Sequence, residues 1–139
     1  MERDMFKLIH SELIMQVQCT EHNLRLIYAA MKNGDFSDNY SDLEKANLGK
    51  IAKELKALDY SDDHPELAEE LYEIIDQIRE IRNYWCHQCY LDYVYIQDDI
   101  KREKKFQMIA DRLHRDEIRT YDLFEKTEKI RMRIMRKYR

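Results

Sequence analysis

In the first part of the chain, an apolar residue, or in one case a threonine, returns at every third or fourth position. An α-helix has about 3.6 residues per turn, so this spacing places these side chains on one face of a helix. We therefore expect a long helix from about Glu2 to Asn33, ended by Gly34, a residue typical of helix C-termini. The expected buried face consists of Phe6, Ile9, Leu13, Val17, Thr20, Leu24, Ile27 and Met31.

A second, weaker apolar series lies on the opposite side of the same helix. It consists of Leu8, Met15, Cys19 and Leu26. A helix that is apolar on two sides is either central in its bundle or also contacts a partner. In a chain of 139 residues we expect the partner, and therefore a homodimer.

Composition indicates that the rest of the chain is also helical. The chain has 2 Gly and 1 Pro, so it has few of the residues that form tight turns between strands. Hydrophobic residues make up 44% and charged residues of both signs 37%, which is typical of a helical bundle with charged outer faces. We expect an all-α bundle of four or five helices in a single domain spanning residues 1–139.

Capping residues and periodicity predict the remaining helices. Residues 34–40 read as a polar loop, and Ser41 begins a capping box for a second helix that ends near Leu58. Pro65 suits the first turn of a third helix. The expected core series of that third helix is Leu67, Leu71, Ile74, Ile78, Ile81 and Trp85.

Periodicity is less decisive after the third helix. Residues 89–96 could be helical or extended, because they follow neither repeat clearly. A last helix is expected from about Asp98 to the end of the chain, with a break allowed near Arg115 and Asp116.

The charged residues are unevenly distributed. The net charge is -4, which gives no general attraction to nucleic acid. From Lys126 onward, however, cations outnumber the single acid Glu128. A solvated helix end is the simpler interpretation, because cations favour a helix C-terminus; a basic surface for RNA or an acidic partner is the alternative.

Several features predict a cytoplasmic protein. The 3 cysteines are an odd number, which argues against a disulfide framework. The chain has no uncharged apolar run that could cross a membrane. Its N-terminus lacks the basic start and apolar stretch of a signal peptide. We expect no membrane partner.

The end of the third helix carries the clearest candidate for chemistry, Arg82-Asn83-Tyr84-Trp85-Cys86-His87. Arginine is a permanent cation that can bind a phosphate, and histidine exchanges protons readily near neutral pH. On a helical wheel Arg79, Asn83 and His87 share a face turned away from the core series. Arg82 lies at the edge of the core series, so its guanidinium must extend outward to reach that face. The simpler alternative is that Arg79 and Arg82 pair with acids such as Asp76, and that His87 is an ordinary surface histidine.

The pattern Arg82-Asn83-x-x-x-His87, late in a helix of a small helical protein, resembles the signature of the HEPN superfamily. Many members of that family are metal-independent endoribonucleases that act as toxins or antiphage effectors, and they dimerise so that two motifs face one cleft. The resemblance implies that Arg82 binds the scissile phosphate, that His87 transfers protons and that Asn83 orients His87 or contacts the phosphate. It also implies an RNA substrate, a possible antitoxin protein as partner and no cofactor.

Two other interpretations stay open. Some relatives in that superfamily are inactive, so the chain could be a non-catalytic helical module that binds a protein or a nucleotide. A Cys-x-x-His pair and a Cys-x-x-Cys pair could together supply four zinc ligands. Those four residues are Cys19, His22, Cys86 and Cys89.

Overall fold

The computed structural model describes residues 1–139 and contains five α-helices and no strand. The helices are α1 (Arg3–Met31), α2 (Phe36–Leu43), α3 (Leu48–Asp59), α4 (Glu69–His87) and α5 (Asp99–Tyr138). The prediction of an all-α bundle of four or five helices is therefore confirmed. None of the helices is both long and apolar enough to span a membrane.

The two longest helices, α1 and α5, lie side by side and run in the same direction. Gln16 donates to Glu117 at 2.8 Å, and Asn23 donates to Thr127 at 3.2 Å. Residues later in α1 therefore contact residues later in α5, which means that the two helices are parallel. Most of the predicted face of α1 is buried in this bundle, while Ile9 and Met31 are partly buried.

Helix α4 packs antiparallel to both long helices. The indole Nε1 of Trp85, near the end of α4, donates to Asp116 at 2.8 Å, whereas the first turns of α4 lie beside Ile130. The core series predicted for the third helix is buried except for Ile74, which is partly buried; its first member, Leu67, lies just before α4. All five helices contribute to one cluster of 26 buried hydrophobic residues.

The prediction of a loop at residues 34–40 is wrong, because most of these residues belong to α2. Gly34 has a φ of 105°, as expected of a residue that ends α1. Asp35 then caps α2 by accepting a hydrogen bond from the Asp38 amide at 3.0 Å. Ser41 lies inside α2, and its hydroxyl donates to the Ser37 carbonyl rather than capping a helix. The cap of α3 is Asn47, which accepts from the Lys50 amide at 2.9 Å.

The third predicted helix begins later than expected, at Glu69 rather than at Pro65. The reason is the buried carboxylate of Asp59, the last residue of α3. It accepts hydrogen bonds from the amides of Glu66, at 2.6 Å, and Leu67, at 3.0 Å, and from the Tyr72 hydroxyl at 2.9 Å. These bonds anchor Glu66 and Leu67 to the end of α3 in a bent segment, and α4 begins two residues after Leu67.

The sequence leaves two further points open, the conformation of residues 89–96 and a possible break in the last helix. Residues 89–95 form successive turns, with Cys89 and Tyr93 buried in the core. Helix α5 is continuous over its 40 residues. Asp116 does not break it, because its carboxylate points into the bundle and accepts from Trp85.

Candidate functional site

The candidate motif lies at the C-terminal end of α4, where it faces α1. The Arg82 guanidinium donates to the Glu21 carboxylate of α1 at 3.1 Å and to the Asn83 side-chain oxygen at 3.0 Å. The side chains of Arg82 and Glu21 are 22% and 13% exposed. Arg82 is therefore fixed between its own helix and α1, while Asn83 is exposed beside it.

An open groove of about 280 Å³ separates this end of α4 from α1. Arg82, Cys86 and His87 line its α4 side. Its α1 side is formed by Ile14, Val17, Gln18 and Glu21. His87 is exposed, and no other side chain of the protein hydrogen-bonds to its ring. Arg82 and His87 therefore line the same solvent-accessible groove.

The electrostatics of the groove depend on Glu21. Its carboxylate also lies 3.7 Å from Arg25, which in turn donates to the carbonyls of Leu43 and Ala46. Two arginines thus share one carboxylate, so the negative charge of Glu21 is divided between Arg82 and Arg25. A guanidinium has five N–H donors, so Arg82 keeps donors free for an anion after its two bonds within the chain.

A partly buried polar network holds the end of α4 in place. His10 of α1 donates through Nε2 to the Trp85 carbonyl at 2.7 Å, one of the last carbonyls of α4, which have no partner within the helix. Trp85 is itself anchored by Asp116, and the Arg112 guanidinium lies 3.7 Å from the centre of the Tyr84 ring. The backbone that carries His87 is therefore rigidly attached to both α1 and α5.

The cysteines near the site differ in environment. Cys86 is exposed as a whole residue, but its thiol is partly buried, and this burial raises the pKa of the thiol. Cys89 is 1% exposed, and burial raises its pKa to about 11. Neither thiol is in an environment that favours the thiolate, so neither is suited to act as a nucleophile.

Arg79 belongs to a different surface from the groove residues. It pairs with Asp76 at 2.9 Å, as the simpler interpretation of the sequence held for this residue, and it lies in a hollow between α3 and α4. A Cβ atom on Gly49 would lie 3.1 Å from Arg79 Cδ, so this glycine makes room for the arginine. The polar face predicted on α4 is therefore divided between two grooves.

The structure does not assemble the four proposed zinc ligands. No group of three or more His, Cys, Asp or Glu side chains is arranged to hold a metal ion. Cys89 points into the core, where its thiol donates to the Trp85 carbonyl at 3.4 Å. His22 instead contacts the Tyr40 hydroxyl at 3.1 Å. The four residues do not converge in this arrangement, because Cys89 is buried whereas Cys86 is exposed.

Two residues of the site were missed from the sequence. Glu21 and His10 lie 61 and 75 positions from their partners on α4, and local spacing carries no information about such pairs. The Glu21–Arg25 spacing suggests an ion pair along α1, but it does not show that Arg82 shares the same carboxylate.

Comparison of the chain with known protein families, curated proteins and solved structures finds no match.

Proposed function

We propose that this protein is a metal-independent endoribonuclease of HEPN type that acts in a toxin or phage-defence setting. The observation that supports the proposal is that Arg82 and His87 line one open groove, with Asn83 hydrogen-bonded to Arg82. A cation that binds a phosphate and a group that transfers protons are the two components that such a cleavage needs.

In the proposed reaction, the 2′-hydroxyl of the RNA attacks the adjacent phosphorus atom. One group removes the proton of that hydroxyl, and another gives a proton to the departing 5′ oxygen, so a 2′,3′-cyclic phosphate and a 5′-hydroxyl form. Each chain supplies one His87, so the acid and the base would come from the two protomers of a dimer. Arg82 would stabilise the charge that develops on the phosphate.

The test is cleavage of single-stranded RNA by purified protein. We expect wild-type protein to cut RNA but not DNA of the same sequence, with activity unchanged by EDTA. His87→Ala should lower the rate by at least about 100-fold, in line with the loss of a general acid or base. Arg82→Ala should also abolish cleavage.

Matched controls are present in the chain. His114, exposed on α5, and Arg79, outside the groove, are the control residues; their alanine variants should cut RNA at the wild-type rate. If His87→Ala cuts as well as wild-type protein, the nuclease activity is a contaminant and the proposal fails.

The second candidate function is a non-catalytic helical module that binds a protein or a nucleotide. The ion pair between Arg82 and Glu21 favours it, because a structural arginine is expected to be held by a carboxylate in this way. In that case Arg82→Ala would lower stability, and neither wild-type protein nor the variants would cut RNA. If the protein is instead a toxin-type ribonuclease, we propose an antitoxin protein as an additional partner.

A further inference from the structure

A second groove, of about 480 Å³, lies between the start of α4 and the last third of α5. Its floor is aliphatic and includes Leu71, Ile74 and Ile130, of which the two isoleucines are partly exposed. A channel between two packed helices has the shape that receives a third helix, because side-chain ridges of one helix fit into the grooves of another. Within this protein no third helix occupies it.

The edges of this α4–α5 groove carry unequal charge. Lys126 and Lys129 on the α5 edge form no ion pair within the chain, and both are exposed. On the α4 edge, Glu66 is already paired with Lys137, which leaves Glu70 as the free acid. The basic edge continues along α5 to Arg136, which is also unpaired. The charge available to a partner is therefore mainly positive and lies on the α5 side.

We infer that the α4–α5 groove binds an amphipathic helix of another protein, with aliphatic residues on its buried face and Asp or Glu along the edge that faces α5. Opposite charge across the α5 edge orients such a helix, and the aliphatic floor provides the apolar contact. No aromatic side chain lines this groove, whereas surfaces that bind single-stranded RNA commonly stack bases on aromatic rings. The lining therefore fits a peptide better than a nucleic acid.

This docking surface is separate from the groove that contains His87. The α4–α5 groove includes Ile74, whereas the His87 groove lies between α4 and α1. The two residues are thirteen positions apart on α4, or about 20 Å at 1.5 Å per residue. The inference consequently does not depend on the proposed nuclease activity, and the two are tested by different measurements.

The experiment selects a phage-displayed library of amphipathic helical peptides on the immobilised full-length chain. We expect enriched peptides to carry aliphatic residues at helical spacing and acids along one edge. Binding of the synthesised, fluorescently labelled peptide should weaken at least about tenfold, or about 1.4 kcal/mol, for the double variant Lys126→Glu, Lys129→Glu. A peptide with lysines in place of its acids should bind this variant better than wild-type protein.

The matched control is Lys101→Glu, Lys104→Glu, which reverses two exposed and unpaired lysines at the other end of α5. It should bind the peptide as wild-type protein does, and circular dichroism should show both variants folded. The inference is overturned if no peptide is enriched, if enriched peptides lack acids, or if the Lys126 and Lys129 changes leave their binding unaltered. It is equally overturned if those changes instead abolish binding of poly(U) RNA, or self-association, without affecting a peptide.

Discussion

At the scale of single residues, the organisation of the site centres on Glu21. Its carboxylate receives Arg82 at 3.1 Å and lies 3.7 Å from Arg25. A carboxylate opposes the binding of a phosphate by its charge, yet it also fixes the direction in which the guanidinium points. We regard Glu21 as a positioning residue for Arg82, because Asn83 alone would leave the guanidinium free to rotate.

Replacing Glu21 should therefore affect the two kinetic constants differently. If the protein is a ribonuclease, Glu21→Ala should lower kcat about tenfold or more, because the phosphate-binding group is displaced. KM for RNA should stay equal or fall, because a negative charge has been removed. Glu21→Gln, which can still accept a hydrogen bond, should recover part of kcat.

The control for this prediction is Glu12→Ala, which removes an exposed acid of the same helix. It should leave both constants unchanged. Wild-type kcat in both Glu21 variants would show that Arg82 needs no positioning from α1.

At the scale of the helices, the connections around α4 depend on buried or nearly buried acids. Asp59 ends α3 and receives three hydrogen bonds from residues before and within α4. Glu66, in the same connection, receives Lys137 and Tyr138 from the end of α5. Two carboxylates thus join three helices at the end of the bundle farthest from His87.

Asp59→Ala should be strongly destabilising. The change leaves two amides and the Tyr72 hydroxyl without their acceptor in an environment where Asp59 is 2% exposed. Because a buried donor without a partner costs about 1–3 kcal/mol, we expect a loss of about 3 kcal/mol or more in the free energy of unfolding. Urea denaturation measures it, with Asp62→Ala, an exposed position in the same loop, as a control expected to change little.

Glu66 should make the stability of the bundle depend on pH. The hydrogen bond from Lys137 lowers the pKa of this carboxyl in the folded protein. Its contribution is therefore complete above the pKa of a free glutamate, about 4.3, and is lost as the pH falls through the lower folded value.

We expect wild-type protein to lose more stability than Glu66→Gln when the pH is lowered from neutrality to about 3. Urea midpoints at the two pH values give the comparison. Glu69→Gln, an exposed neighbour, should keep the wild-type acid dependence. Identical acid losses in wild-type protein and Glu66→Gln would contradict the role given to this carboxylate.

At the scale of the whole molecule, the outer face of α1 is incompletely covered. Leu8 and Met15, two members of the second apolar series expected from the sequence, are 61% and 49% exposed, and Met5 beside them is 51% exposed. The other two members, Cys19 and Leu26, are partly buried. Met15 is next in the chain to Ile14, which lines the His87 groove. A second protomer packed on this face would lie beside His87, as the proposed two-histidine mechanism requires.

We predict that the protein is a dimer at low micromolar concentration and that Leu8→Asp, Met15→Asp converts it to a folded monomer without ribonuclease activity. Removal of exposed apolar area from the interface is the physical reason. Light scattering measures the mass, and RNA cleavage measures the consequence. Met108→Asp, Ile118→Asp, which changes exposed apolar residues of α5, should remain dimeric; a monomeric wild-type protein would exclude the shared site.

Much of the helical architecture follows from local spacing in the sequence. Residues three and four apart share a helix face, so the extent of α1, the buried series of α4 and the exposure of His87 could all be predicted before the bundle was known. The start of α2 is less well defined by local pattern, because both Asp35 and the capping box at Ser41 are possible helix starts and only Asp35 caps a helix in the structure. The start of α4 could not be predicted, because it depends on the buried Asp59 carboxylate.

The arrangement of the site was decided only by the packing of distant segments. Arg82 meets Glu21, and Trp85 meets His10, across separations that local periodicity cannot detect. The same packing buries Cys89, so the four residues of the zinc alternative do not form a cluster. It also creates the α4–α5 groove, whose two sides come from residues more than fifty positions apart. The sequence determines which residue types lie on each face of a helix. Which faces pack against each other depends on the core that all five helices share.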